Sequence, residues 1–342
     1  MADRKMKNLA KYRMSALTHW RCSCLAALVI ALIGCGGEPG KQAAKKGSKG
    51  TIGVSVLTMG NDFFKVIADN IEAEAKQAGY DVIVTDGDMK VDEQRRQVQD
   101  FIVKKCSAIV LCPTDALKIG PIIQSANEAG IPVFTADLAC LDPKAKVVSH
   151  IATDNLAGGR QAGEAMIEAL GESGGKVVIL HFTSAESCLL RVQGFREVID
   201  AYNKGRETGK IEIVSELPGE GDKTKGYTCT QDALQTSPDL AGIFAINDPS
   251  AVGAYNALEK AGKAGQVKII GFDGQDIGKE AIRDGKIYAD PIQYPDLIGK
   301  MTMQTILKYF DGEKVEEKQL IPTKLYRKAD GEKDPSLKKK KP

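Results

Sequence analysis

Asp137 and Asp273 lie just beyond two apolar stretches that read as β-strands, Pro132-Val-Phe-Thr135 and Val267-Lys-Ile-Ile270. Side-chain amides take comparable places: Asn61 after Thr51 to Leu57, Asn247 after Ala241 to Ile246, and Gln293. Carboxylates accept hydrogen bonds and amides both donate and accept, while adjacent aromatics such as Phe63 and Phe64 can cover a sugar ring. Groups for bond-breaking are scarce. The chain has no G-x-S-x-G, no G-x-x-x-x-G-K-[ST] and no G-x-G-x-x-G, and only His150 and His181 lie beyond residue 35. An enzyme is not expected, nor is a cofactor. Cys106, Cys112, Cys140, Cys188 and Cys229 form an odd set without a C-x-x-C pair, which argues against a disulfide framework and a zinc or other metal site. Most are expected to be small buried hydrophobes; an oxidising compartment allows one disulfide, and the spacing does not select its pair.

The elements that must hold these groups alternate along the chain. Thr51 to Leu57, Val82 to Thr85, Ala108 to Leu111 and Pro132 to Thr135 read as strands, with helices from Val66 to Gly79, Val91 to Val103 and Ala116 to Ala129. The pattern then restarts with strands Lys176–Leu180, Ile211–Ser215, Ala241–Ile246 and Val267–Ile270, separated by helices Leu190–Asn203, Gly226–Thr236 and Pro249–Ala261. Nearly continuous apolar strands between helices mean a parallel sheet covered on both faces. The run from Ala108 through Asp137 is echoed by that from Gly242 through Asp273, so two similar doubly wound α/β lobes are expected rather than one larger sheet. Ligands of such sheets bind beyond the carboxyl ends of the strands, where all the polar groups above lie.

Charge is balanced at a net +2 with Lys and Arg spread evenly, so nucleic acid is not an expected partner. The N-terminal segment differs from the rest. Arg4, Lys5, Lys7, Lys11, Arg13 and Arg21 precede a short apolar run that ends in Leu32-Ile33-Gly34-Cys35. A basic lead and about ten apolar residues describe an export signal, too short to span a bilayer. The cysteine after Ile33-Gly34 resembles the lipobox of bacterial lipoproteins, in which the signal is cut before a cysteine that then carries acyl chains; the plainer alternative is an ordinary signal with an incidental cysteine. Expected accordingly are a signal peptide over 1–34, lipidation at Cys35, a flexible tether over 35–50 and a basic tail over 331–342 ending in Lys338 to Lys341.

Asn61-Asp-Phe-Phe64, Pro113-Thr-Asp115, Val148-Ser-His-Ile-Ala-Thr-Asp-Asn155, Asn247-Asp248, Gly271-Phe-Asp-Gly274 and Gln293-Tyr-Pro-Asp-Leu-Ile-Gly299 together resemble the periplasmic ribose-binding protein family, over about Thr51 to Leu325. The resemblance implies the type I periplasmic binding fold, two lobes joined by three hinge crossings that close around one sugar. The implied lobes are 51–153 plus 294–321 and 154–293 plus 322–330. Also implied are a monosaccharide or polyol ligand, an ABC permease as partner, a monomeric protein and a place in the periplasm or cell envelope. A lipoprotein presenting its sugar to a chemosensory receptor is the alternative use. A sugar-responsive repressor would instead begin with a helix-turn-helix.

Carried over position by position, Asn61 bonds the sugar, Phe63 and Phe64 lie on its ring, Asp137 and Asp273 accept its hydroxyls, and Asn247 and Gln293 add amide contacts. Plainer roles stand beside these: Asn61 or Asp62 capping the first helix, the phenylalanines as core, and Asn247-Asp248 capping the helix from Pro249. Four positions depart from the family and are candidate specificity positions. Cys112 replaces an asparagine, Leu138 and Leu189 stand where arginines are expected, and Gly221 replaces an aromatic. The loss of two arginine forks leaves the carboxylates less compensated, with Arg191, Glu186 and Asp62 as nearby charges that could rebuild the site. Ribose itself is therefore not the expected ligand above a larger sugar, a deoxy or amino sugar, or a polyol.

Overall fold

The computed structural model of the chain describes residues 47–337. The signal segment, Cys35, the tether to residue 46 and the terminal lysines lie outside the described residues. The first half runs β1 (Thr51–Val56), α1 (Asp62–Ala78), β2 (Asp81–Asp86), α2 (Val91–Val103), β3 (Ala108–Leu111), α3 (Gly120–Glu128), β4 (Val133–Ala136) and β5 (Ser149–Thr153). The second runs α4 (Asn155–Leu170), β6 (Gly175–Leu180), α5 (Glu186–Asn203), β7 (Ile211–Leu217), α6 (Lys223–Thr236), β8 (Leu240–Ala245), α7 (Asp248–Lys260), β9 (Lys268–Ile270), α8 (Asp276–Arg283) and β10 (Ala289–Ile292). The chain ends with α9 (Pro295–Phe310), β11 (Lys318–Ile321), β12 (Lys324–Arg327) and α10 (Lys328–Lys333).

Two six-stranded sheets result, ordered β2-β1-β3-β4-β5-β11 and β7-β6-β8-β9-β10-β12. The first is parallel throughout, and the second is parallel except for β12, which runs antiparallel to β10. The chain passes between sheets three times: after β5, after β10, and between β11 and β12. β3 and β4 are buried along their whole length, because α1 with α9 and α2 with α3 form separate helix layers over the first sheet. His150 is buried in β5 against the Thr135 hydroxyl at 2.9 Å, and burial holds its pKa down to about 4, so it stays neutral. Among the described residues all five cysteines are unpaired, and burial raises each of their thiols, Cys188 to about 11.

Several elements differ from the expectation. α4 had no counterpart in the sequence pattern, since Gly158, Gly159 and Gly163 each cost about 1 kcal/mol of helix propensity. Packing explains them: a Cβ on Gly159 would fall 2.1 Å from the Arg191 carbonyl oxygen, and one on Gly194 of α5 would fall 2.2 Å from that of Leu156. Only glycine lets α4 and α5 meet backbone to backbone. α3 starts at Gly120 rather than Ala116, because the Asp115 carboxylate accepts from the N–H groups of Leu117 and Lys118 and closes a separate turn. α5 starts at Glu186 rather than Leu190, which changes which of its side chains face inward. Residues 331–337, expected as tail, instead complete α10 and a short 3-10 turn, with Leu337 buried and the Tyr326 hydroxyl donating to Asp334 at 2.9 Å. Residues 47–50, expected as tether, are docked by Lys49 N–H on the Gly79 carbonyl and by Ser48 Oγ accepting from Asp81 N–H.

Candidate functional site

The loops beyond the carboxyl ends of the strands of both sheets enclose a cavity of about 870 Å³, within the range of small-molecule sites. The two halves also touch through the backbone: Ala116 N–H donates to the Ser184 carbonyl at 3.1 Å. Of the seven expected ligand residues, all line this cavity. Their states differ. Asn61 caps α1, its Oδ1 accepting from Phe63 N–H at 3.0 Å, while its Nδ2 makes no hydrogen bond among the described residues. Phe63 and Phe64 are buried edge to face with ring centroids 5.4 Å apart, so both serve the core and the cavity wall.

Asn247 caps α7 through Oδ1, which accepts from Ser250 N–H, and its Nδ2 donates to the Gly221 carbonyl at 3.0 Å. One hydrogen-bonding position remains on each atom. Gly221 has a φ of +68°, and a Cβ there would lie 2.9 Å from Asn247 Nδ2, so glycine is required for this contact.

The two aspartates both adopt positive φ, 64° at Asp137 and 103° at Asp273, which turns their carboxyls inward at the strand ends. Asp273 accepts from Arg191 Nη1 at 2.9 Å, Gln293 Nε2 at 2.6 Å and Gln275 Nε2 at 3.0 Å. Burial raises its pKa, and Arg191 and the two amides oppose that rise. Asp137 is as buried, but its Oδ1 has no partner. Burial lifts its pKa to about 7; Arg191 pulls down against this, and the charges of Asp273 and Glu186 push up. Gln293 Oε1 is a second buried acceptor without a donor. The cavity thus presents acceptors in want of donors, as a hydroxyl-rich or amine-bearing molecule would supply.

Arg191 is the side chain around which the site is built, a role the sequence suggested only by proximity. It is buried, stacks 3.9 Å from the Phe272 ring centroid, and donates to Asn155 Oδ1 and the Ile246 carbonyl as well as to Asp273. Asp273 is therefore better compensated than the missing arginines implied, and Asp137 is not. Two candidate specificity positions are corrected. Leu189 is 39% exposed and does not line the cavity. It lies about 200° around α5 from Arg191, whereas Ser187 and Cys188, one turn before Arg191, face inward with it. Cys112 is fully buried behind the wall, close enough to Asp137 to feel its charge but not lining the cavity. Leu138 and Gly221 do line it. Gln275, a strand-end position in the sequence, was not singled out as part of the site because its backbone bond depends on Asp248, which only the fold brings beside it, while its side chain donates to the neighbouring Asp273. Among the described residues no cluster of His, Cys, Asp and Glu could hold a metal ion, and no helix is long and apolar enough to cross a membrane.

Residues 52–314 match the family model described as periplasmic binding protein domain. The chain is 36% identical over 279 residues to the ribose import binding protein of Salmonella typhimurium, covering 81% of this chain and 90% of that one. It is 31% identical to the D-apiose import binding protein of Paraburkholderia graminis, covering 81% and 87%. An ABC transporter solute binding protein from Mycobacterium smegmatis, solved with bound glycerol, superposes with a TM-score of 0.76 at 31% identity, covering 84% and 96%.

Proposed function

The chain belongs to the ribose-binding-like family of periplasmic binding proteins, and on that premise we propose that it captures a monosaccharide or related polyol for an ABC importer. The observation that carries this reading is the cavity in which Asp137 of the first sheet faces Asp273 of the second, with buried acceptors on Asp137 and Gln293 that no group among the described residues satisfies. Hydroxyls arranged around a ring supply such donors, and Phe63 and Phe64 supply an apolar surface for the ring. The function is binding, not catalysis, in line with relatives that are named for import and binding. A thermal-shift screen against pentoses, hexoses, deoxy sugars, amino sugars and polyols tests it. A ligand at a thousandfold excess over its dissociation constant adds about 4 kcal/mol of apparent stability. No stabilisation by any of these classes would refute the reading. With the ligand found, Asp137→Ala and Asp273→Ala should each weaken binding by about 2 kcal/mol or more, as read by calorimetry.

The proposal extends to the lobes as delimited by the crossings at 153/154, 293/294 and 321/322, to a monomer, and to a place in the cell envelope. Anchoring through Cys35 is supported by the basic lead, the short apolar run and Ile33-Gly34 before the cysteine. Cys35→Ser should move the protein from the membrane to the soluble fraction, and a variant that still sediments with membranes would count against acylation there.

A further inference from the structure

Three charged side chains lie buried on the cavity wall, and their charges do not balance. Asp137, Asp273 and Arg191 are 3%, 5% and 3% exposed. Arg191 is paired with Asp273, while Asp137 Oδ1 meets no donor among the described residues. Besides Arg191, the charges that act on Asp137 are Asp273 and Glu186, both acidic, and the Lys318 ammonium of β11 acts on Glu186. The thiols of Cys112 and Cys188 feel Asp137, but burial keeps them neutral. Leu138, next in the chain, is buried and apolar on the same wall. Asp273, equally deep, shows what neutralising a carboxylate takes here: one guanidinium and two amides. The rim is acidic too. Asp62, Asp222 and Asp276 line the cavity without an ion pair among the described residues, whereas Lys225 and Lys279 are paired with Glu220 and Asp334, which leaves Lys223 to offset them. A cleft of one sign concentrates ligands of the other. The orphaned acceptors have the same need. Gln293 Oε1 lacks a donor as Asp137 Oδ1 does. A hydroxyl brings one donor and two acceptors, but an ammonium brings three donors and a charge.

We propose that the ligand carries a protonated amine on a hydroxylated ring, an amino sugar or aminocyclitol, and that Asp137 binds its ammonium group. The ammonium site rests on this cavity being the sugar site, and it names which class of sugar enters. Burial holds the Asp137 carboxyl at a pKa of about 7 in the ligand-free chain, so at neutral pH it ionises at little cost, and an ammonium beside it draws it fully into the carboxylate form. A neutral sugar can complete the hydrogen bond, but it leaves the charge buried or meets a protonated carboxyl. The ring hydroxyls remain for the other groups of the wall, among them Asn61 Nδ2, a donor without a partner among the described residues.

The test is calorimetry with matched ligands at about pH 6.5, where amines are charged. Glucose, glucosamine and N-acetylglucosamine form one series, the galactose and mannose counterparts two more, and myo-inositol with an inosamine a fourth. Charge-assisted hydrogen bonds are about twice as strong as neutral ones, so in at least one series the amine should bind about tenfold or more tightly than its neutral parent. The acetylated member keeps an N–H and loses the charge, and it should bind no more tightly than the parent. Asp137→Asn keeps the shape and removes the charge, so the ratio of amine to parent affinity should fall to within about twofold of unity. Should that variant fail to fold, Asp137→Ser takes its place, and the wild-type series stand without either. A neutral parent that matches or exceeds its amine in every series overturns the ammonium site and leaves sugar capture standing. A polyol or deoxy sugar that binds where no amine does has the same meaning. An amine preference that survives in Asp137→Asn overturns the assignment to Asp137. Millimolar sodium or calcium that stabilises wild type, but not the variant, as strongly as the amines do would put a metal ion there and overturn it as well. Silence toward every neutral and amine ligand removes the sugar reading and the ammonium site together.

Discussion

Asp137 and Asp273 have the same side chain and the same strand-end placement, both with positive φ, yet opposite degrees of compensation. Asp273 accepts three donors, while Asp137 keeps an unpartnered oxygen and a pKa near 7. Its folded pKa lies above the unfolded carboxylate value, so the ligand-free protein loses stability as pH climbs from about 4 through 7. Asp137→Asn should then gain roughly 2–4 kcal/mol over wild type at pH 8 and nothing at pH 4, by urea denaturation. A ligand donating hydroxyls to the carboxylate favours its ionised form, so wild-type affinity should rise from pH 6 to 8 with proton release, and the variant should lose that rise. Identical pH profiles for the two proteins would refute the assignment. Both aspartates were legible in the sequence because a strand followed by an acidic residue is a local pattern. Arg191 was not, because its inward direction depends on where α5 begins, and Ala185 before Glu186 carries no side-chain cap to mark that start.

At the scale of elements, the contact of α4 with α5 sets the position of Arg191. Gly159→Ala would drive a methyl group against the Arg191 carbonyl oxygen and force the two helices apart. Overpacking of this kind costs about 1–3 kcal/mol, so chemical denaturation should show a loss of that size. Ligand affinity should fall about tenfold with it, since Arg191 carries Asp273 and Asn155. Unchanged affinity in a destabilised variant would mean that Arg191 is held by Phe272 and the Ile246 carbonyl alone. The α4 glycines hid that helix from the sequence: they lower local propensity, and the compensation at Gly159 and Gly163 comes from a partner helix thirty-odd residues on, while Gly158 makes room for Phe272. Helices and strands with apolar periodicity, such as α2 and β3, coincide with their expected bounds. α3 and α5 differ by a turn because side-chain caps, present or absent, decide where helices begin.

For the whole molecule, two sheets joined by three crossings can change their mutual angle at little cost, and a ligand held from both sides favours the closed arrangement. Small-angle scattering should show a smaller radius of gyration on adding the sugar found in the screen, and no change for Asp273→Ala at the same concentration. An unchanged radius with saturating ligand would mean that closure precedes binding. The internal repeat made the two-sheet plan readable before any coordinate. The antiparallel β12 was not, since a four-residue strand contributes too little pattern to carry its direction.

The unpaired cysteines, buried except for the half-buried Cys140, have a practical consequence. Thiolates, not thiols, react with maleimide dyes, and burial keeps the five native sulfurs protonated at neutral pH. The four buried cysteines of the described residues are thus nearly silent toward such reagents, and only the half-buried Cys140 needs replacing. With Cys140 replaced, a single new thiol at Leu189, exposed on α5 and five residues beyond the carbonyl that bridges to Ala116, would take the label in the described part of the chain. Its fluorescence would follow the approach of the two halves in real time, turning the molecule into an optical gauge of its own ligand.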